Sequence, residues 1–163
     1  MAAPIIAPFV PADQQGLLDL ILSIQRDEYG IAITAADQPD LSDIEGFYLT
    51  GAGGFWVARA DDRVVGTIAL KDIGDRQAAL RKMFVAPDHR GRAAGVAQTL
   101  LDMLLAAARA RGLTDLYLGT ADRFVAAHRF YEKNGFVAIS PDALPPAFPR
   151  MAVDTRFYQL IVA

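Results

Sequence analysis

Residues 80–96 read Leu80-Arg81-Lys82-Met83-Phe84-Val85-Ala86-Pro87-Asp88-His89-Arg90-Gly91-Arg92-Ala93-Ala94-Gly95-Val96. A strand rich in apolar residues stops at Pro87, which cannot donate to a sheet ladder, and a basic loop then leads to a helix opened by Gly95. The start of a helix leaves backbone N–H groups unpaired and carries roughly half a positive charge, so it can hold a phosphate. Ala93, Ala94 and Gly95 put no large side chain in the way, and Arg90 and Arg92 add formal charge. Two nucleotide patterns fail on spacing. Gly91 and Gly95 stand four apart and Val96-Ala97 follows, which is not the P-loop order, and no G-x-G-x-x-G occurs.

Working outward, the segment before this junction reads as an antiparallel meander. Three strands are expected, Phe55 to Ala60, Arg63 to Lys71 and Gln77 to Val85, with tight turns at Asp61-Asp62 and Gly74-Asp75. Ala79, Leu80, Met83 and Val85 break the alternation of a strand, which points to burial on both faces or to a bulge. Upstream lie a short edge strand at Ile5 to Phe9 and a helix with Leu17, Leu18, Leu20, Ile21 and Ile24 on one face, ending near Gly30. A shorter helix is expected within Asp40 to Leu49, capped by Ser42 or Asp40.

Downstream the pattern becomes strand and helix in turn. A helix from about Gly95 to Arg111 carries the stripe Val96, Ala97, Leu100, Leu101, Leu104, Leu105 and Ala108. A strand at Leu113 to Gly119, a helix at Phe124 to Asn134, a short strand at Phe136 to Ile139 and a closing strand at Arg156 to Val162 follow. Between the last two, four prolines make Ser140 to Arg150 an irregular loop. The fold class is therefore α/β with a mixed sheet, antiparallel in its first half and built of βαβ units in its second, as one domain over residues 1–163.

Composition narrows the chemistry. No cysteine is present, so neither disulfides nor an acyl-cysteine intermediate on this chain is available, and two histidines without ligand spacing lead us to expect no metal. No apolar run reaches the roughly 20 residues of a membrane span, and the apolar start lacks the basic segment of a signal peptide, so a cytoplasmic location is expected. From Pro11 to Thr50, Asp13, Asp19, Asp27, Glu28, Asp37, Asp40, Asp43 and Glu45 face only Arg26. A pI near 5.3 and one short basic loop argue against nucleic acid as a partner.

The blocks from Arg81 to Phe136 resemble the GNAT acetyltransferase superfamily. The matching pieces are Met83-Phe84-Val85 with Pro87, Arg90-Gly91 before a glycine-opened helix, Tyr117-Leu118-Gly119-Thr120, and Ala127 to Phe136, which follows the A-x-x-x-Y-x-x-x-G-F signature. Two departures stand out. The glycine at the helix opening is displaced by two residues, and Phe124 stands where the family has an asparagine.

The resemblance implies acetyl-coenzyme A as cosubstrate. Its pantetheine arm would run beside Met83, Phe84 and Val85, and its diphosphate would rest on Arg90, Gly91, Arg92, Ala93, Ala94, Gly95 and Val96. An amine would then attack the thioester directly in a ternary complex, which the absence of cysteine allows. Tyr131 is the expected general acid for the departing thiolate, against the alternative of a tyrosine packed among Phe130 and Phe136. The general base stays open among Glu28, Asp27, Asp37 and Asp72, and His128 is set aside as structural. The acidic stretch along the acceptor wall implies a small, cationic amine touched by Glu28 and Asp37. A non-catalytic acyl-coenzyme A binding domain and a protein N-acetyltransferase are the other readings. The last strand, expected at a sheet edge, leaves either a homodimer or a cover from the same chain.

Overall fold

The computed structural model describes residues 3–91 and 95–162. Its centre is a seven-stranded sheet in the order β1-β2-β3-β4-β5-β7-β6. The strands are β1 (Ile5–Pro8), β2 (Gly54–Ala60), β3 (Arg63–Gly74), β4 (Gln77–Val85), β5 (Asp115–Thr120), β6 (Val137–Ile139) and β7 (Arg156–Ile161). All neighbours run antiparallel except β4 and β5. The helices are α1 (Gln14–Leu22), α2 (Ile44–Tyr48), α3 (Val96–Ala110) and α4 (Val125–Lys133).

Strand alternation sends side chains to two cores. Phe55 and Val57 of β2 pack with Leu17, Ile21 and Tyr48 on the α1/α2 face, whereas Trp56 and Ala58 pack with Leu100, Leu101 and Leu104 under α3. Those three leucines are fully buried, and each stabilises the fold by about 1.5–3 kcal/mol through apolar area removed from water.

Several expectations shift by a residue or change type. The second hairpin turns at Asp75-Arg76, both left-handed with φ of 55° and 59°, rather than at Gly74-Asp75, because β3 extends to Gly74. The short helix is capped by Asp43, whose side chain accepts from Gly46 N–H, and not by Ser42 or Asp40, which belong to the 3-10 turn Pro39–Ser42 ahead of it. The first helix does not stay α-helical to Gly30: Ser23–Glu28 widens into a π-helical segment. The proline-rich loop holds one short 3-10 turn, Pro141–Ala143.

The larger correction concerns the closing strand. β7 lies between β5 and β6, paired on both sides, so its edge is not available to a second copy. The long loop from β6 allows the chain to return into the gap beside β5. β1 and the three-residue β6 are the edges. No helix among the described residues is long and apolar enough to cross a membrane.

Candidate acetyl-transfer site

The site begins with how little β4 and β5 pair. Their parallel register covers Gln77–Asp115, Ala78–Leu116 and Ala79–Tyr117. Beyond it the strands part, and the β4 edge from Leu80 to Val85 has no strand partner on that side among the described residues. A bulge helps to open the gap. Thr67 pairs with Phe84 but Ala69 with Arg81, so two residues of β4, Lys82 and Met83, stand against one of β3. Lys82 takes a left-handed φ of 54°, and its carbonyl accepts from Thr67 Oγ1 at 2.7 Å. The broken alternation in the sequence was this bulge.

The gap opens into a cleft of about 740 Å³ that passes between the strands and is lined from both faces of the sheet. On the α3/α4 side, Met83, Val85, Gly91, Gly95, Ala97, Gln98, Thr99 and Tyr131 contribute. Gly95, at φ 65° and ψ 12°, turns the chain into α3 and offers no side chain to cap it. The first N–H groups of that fifteen-residue helix therefore lack a side-chain cap at the cleft, as an anion site requires.

The residues expected for the cosubstrate are partly gathered there. Met83, Phe84, Val85, Arg90, Gly91 and Gly95 line the cleft. Val96 does not: its side chain is 2% exposed and belongs to the core under α3. Arg92, Ala93 and Ala94 lie outside the described residues. Arg90 is already engaged. Its Nε donates to Val85 O at 2.8 Å, and its other nitrogens form a two-point pair with Glu28, through Nη1–Oε2 and through Nη2–Oε1 at 2.7 Å. This pair holds Glu28 below the usual carboxylate range and raises Arg90, and it neutralises the charge expected to meet a phosphate.

Tyr131 sits on α4 with its ring 5.5 Å from Phe136 and 6.1 Å from Tyr158, centroid to centroid. Packing among aromatics and a position on the cleft are thus both true of it. Burial raises its hydroxyl well above the ordinary phenol value, so the group stays protonated at neutral pH. His128, in contrast, is spent on structure. Ala121 O lies 2.9 Å from Nε2 and the Arg156 guanidinium 3.3 Å from Nδ1, and because a carbonyl only accepts and a guanidinium only donates, Nε2 donates to Ala121 and Nδ1 accepts from Arg156.

On the α1/α2 side the acids read as an acceptor wall are occupied elsewhere. Asp37 accepts from Thr34 N–H and Oγ1 at 2.9 and 3.0 Å and does not line the cleft, and Asp13 pairs with Arg59. Asp72 accepts from Ala52 and Gly74 N–H, each at 2.8 Å, and Asp27 and Glu28 line a separate surface groove. Neither Glu28 nor Asp37, the acids expected to meet a cationic amine, lines the cleft. The π-helical turn instead brings Gln25 and Tyr29 to the cleft, where the Tyr29 ring meets Phe124 edge-on at 4.6 Å.

Four charged cleft residues lie outside the set expected from the sequence, one of them Lys133 at the end of α4. Arg81 and Lys82 lie on β4, and Asp154 lies just before β7. Asp154 accepts from Met151 N–H at 3.1 Å; burial raises its carboxyl above the ordinary value, although Arg81, Arg150 and Lys82 oppose the shift. Burial likewise pushes Lys82 down to about 8, against the pull of Asp40. No group of three or more acids and histidines suited to a metal ion occurs among the described residues.

Residues 18–136 match the model of the acetyltransferase (GNAT) family. The chain belongs to that family. A GNAT-family acetyltransferase from Staphylococcus aureus Mu50 superposes with a TM-score of 0.94 at 38% identity, covering 99% of this chain and all of that one. N-acetylaspartate synthetase of Xenopus tropicalis is 33% identical over 132 residues, 78% of this chain and 48% of that protein. The chain spans about half the length of the curated relatives it matches. At 17% identity, an N-acetyltransferase from Thermoplasma acidophilum crystallised with coenzyme A shares the GNAT fold, with a TM-score of 0.74 over 98% of this chain and 99% of its own.

Proposed function

We propose that the chain transfers the acetyl group of acetyl-coenzyme A to a primary amine of a small molecule, by direct attack within a ternary complex. The observation that carries this reading is the unpaired β4 edge from Leu80 to Val85, which opens beside both the Tyr131 ring and the start of α3. Pantetheine amides can complete that edge as a short strand does, while the bare N–H groups of α3 meet the diphosphate. The coenzyme A complex of the Thermoplasma fold relative supports this choice of cosubstrate.

Asp154 is the general base of this reading. A buried carboxylate with a raised pKa is a better proton acceptor than one in water, and it shares the cleft with Tyr131. The ammonium gives one proton to Asp154 and its nitrogen bonds to the thioester carbon; as the C–S bond breaks, the thiolate takes the Tyr131 proton and the phenolate takes the excess proton left on the nitrogen, giving amide and free thiol. Because burial stabilises its neutral form, Tyr131 enters the reaction carrying the proton that the thiolate takes. Incubation with acetyl-coenzyme A and a panel of primary amines, with free thiol followed over time, tests the proposal. Amine-dependent thiol release is expected. Tight acetyl-coenzyme A binding without release for any amine would support the non-catalytic binding reading instead.

A further inference from the structure

The α1/α2 end of the cleft contains a guanidinium that the fold leaves largely unanswered. The Arg81 side chain is only 12% exposed, yet among the described residues its hydrogen-bond and ion-pair partners are Met151 Sδ at 3.5 Å and Asp40 Oδ2 at 4.0 Å, with the face of Phe47 at 5.5 Å and the Asp154 carboxyl within electrostatic reach but not hydrogen-bonded to it. Five N–H donors in a fixed fork thus meet one thioether and a distant oxygen. That same Asp40 oxygen already accepts from Tyr48 Oη at 2.5 Å and has Lys82 Nζ at 3.5 Å. Burying a cation without matched acceptors is costly, so the site is complete only when something else supplies them.

Lys82 adds a second positive charge beside it. One of its three N–H donors goes to Gln38 Oε1 at 2.8 Å, and Gln38 is held in turn by a reciprocal amide pair with Gln25 at 2.9 and 3.0 Å. Asp154 is the remaining acid on the cleft. The other walls at this end are apolar, including Tyr29, Ile31, Phe124 and Val153. An acceptor with a positive amine alone would find one acid and two cations.

We infer that the acceptor is an amine that also carries a carboxylate, an α-amino acid with an apolar side chain, whose carboxylate fills the fork of Arg81 while its amine faces Asp154. The planar fork of Arg81 matches a carboxylate at two points, which a lysine ammonium cannot do. This inference rests on the acetyl-transfer reading and specifies its substrate class.

The test uses matched pairs, leucine against isopentylamine and phenylalanine against phenethylamine, each differing by the carboxylate alone. With saturating acetyl-coenzyme A, thiol release is expected to give the amino acid a kcat/KM about 100-fold above its decarboxylated partner, most of it in KM, as for a buried charge pair that loses one member. In Arg81→Gln the ratio within each pair is expected to fall close to one, and Arg81→Lys to restore only part of it; thermal melts confirm that both variants fold. Equal kcat/KM within the wild-type pairs would overturn the inference and leave acetyl transfer standing. A ratio that survives Arg81→Gln would overturn the role of Arg81. Absence of thiol release from every compound would overturn both the inference and the reading beneath it.

Discussion

Asp154 Oδ2 occupies space that a side chain on Gly119 would need, 2.5 Å from where its Cβ would stand. The bare backbone of β5 thereby admits the carboxylate to the point at which β4 and β5 separate. Gly119→Ala is expected to push Asp154 aside and lower kcat about tenfold, because a misplaced catalytic group loses rate steeply with distance. Acetyl-coenzyme A affinity, measured by calorimetry, is expected to stay unchanged.

Asp154→Asn is expected to lower kcat/KM by about 100-fold or more, the range of a general base. The wild-type profile should carry an acid limb above the ordinary carboxylate range, since the base works ionised and burial raises its pKa. That limb should vanish in the variant. Stability moves the other way. A carboxyl raised in the folded state loses stabilisation as pH climbs through its folded pKa, so Asp154→Asn should melt at a higher temperature than wild type at pH 7.5 and at no higher temperature well below pH 4.

Lys82 supplies an independent check on the electrostatics. Its folded pKa of about 8 lies below that of an exposed lysine, so the unfolded chain binds more protons between about pH 8 and pH 10.4. The sign follows: this group makes the fold more stable as pH rises across that window. Lys82→Met should lack the rise, and the gap between the two urea midpoints is expected to move in favour of wild type on going from pH 7.5 to pH 9.5.

The Glu28–Arg90 pair ties the end of the π-helical segment to the loop before α3. Both side chains are about one-third exposed, so its loss should cost only about 0.5–1 kcal/mol. Glu28→Gln frees the guanidinium near the expected diphosphate. Acetyl-coenzyme A is expected to bind about threefold tighter in low salt, with the gain disappearing in high salt as screening sets in.

Local chemistry was legible in the sequence wherever neighbours along the chain decide it. β4 runs from Gln77 to Val85 as expected, because a turn and Pro87 bound it, and of the two readings its faulty alternation left open, burial on both faces or a bulge, a bulge at Lys82 is present. Tyr131 reaches the cleft through the signature that singled it out. What stayed hidden depends on partners distant in the chain. Sequence order does not reveal that β7 inserts between β5 and β6, nor that Asp154 fits against Gly119, nor that Glu28 meets Arg90. The acidic stretch misled for the same reason: its charge was countable, but its partners Arg59, Arg90 and Thr34 were not visible.

Tyr131→Phe should lower kcat by about 100-fold across the whole pH range, because burial keeps the phenol protonated well above neutrality and no alkaline limb arises from it. Unchanged kcat would return Tyr131 to a packing role with Phe136.

Amide hydrogen exchange with and without coenzyme A probes the open strand edge most directly. Ligand is expected to slow exchange in Leu80–Val85 and in the first turn of α3, while β2 and β3, paired on both sides, stay as they were. Unaltered exchange along Leu80–Val85 at saturating coenzyme A would contradict the placement of the cosubstrate between β4 and β5.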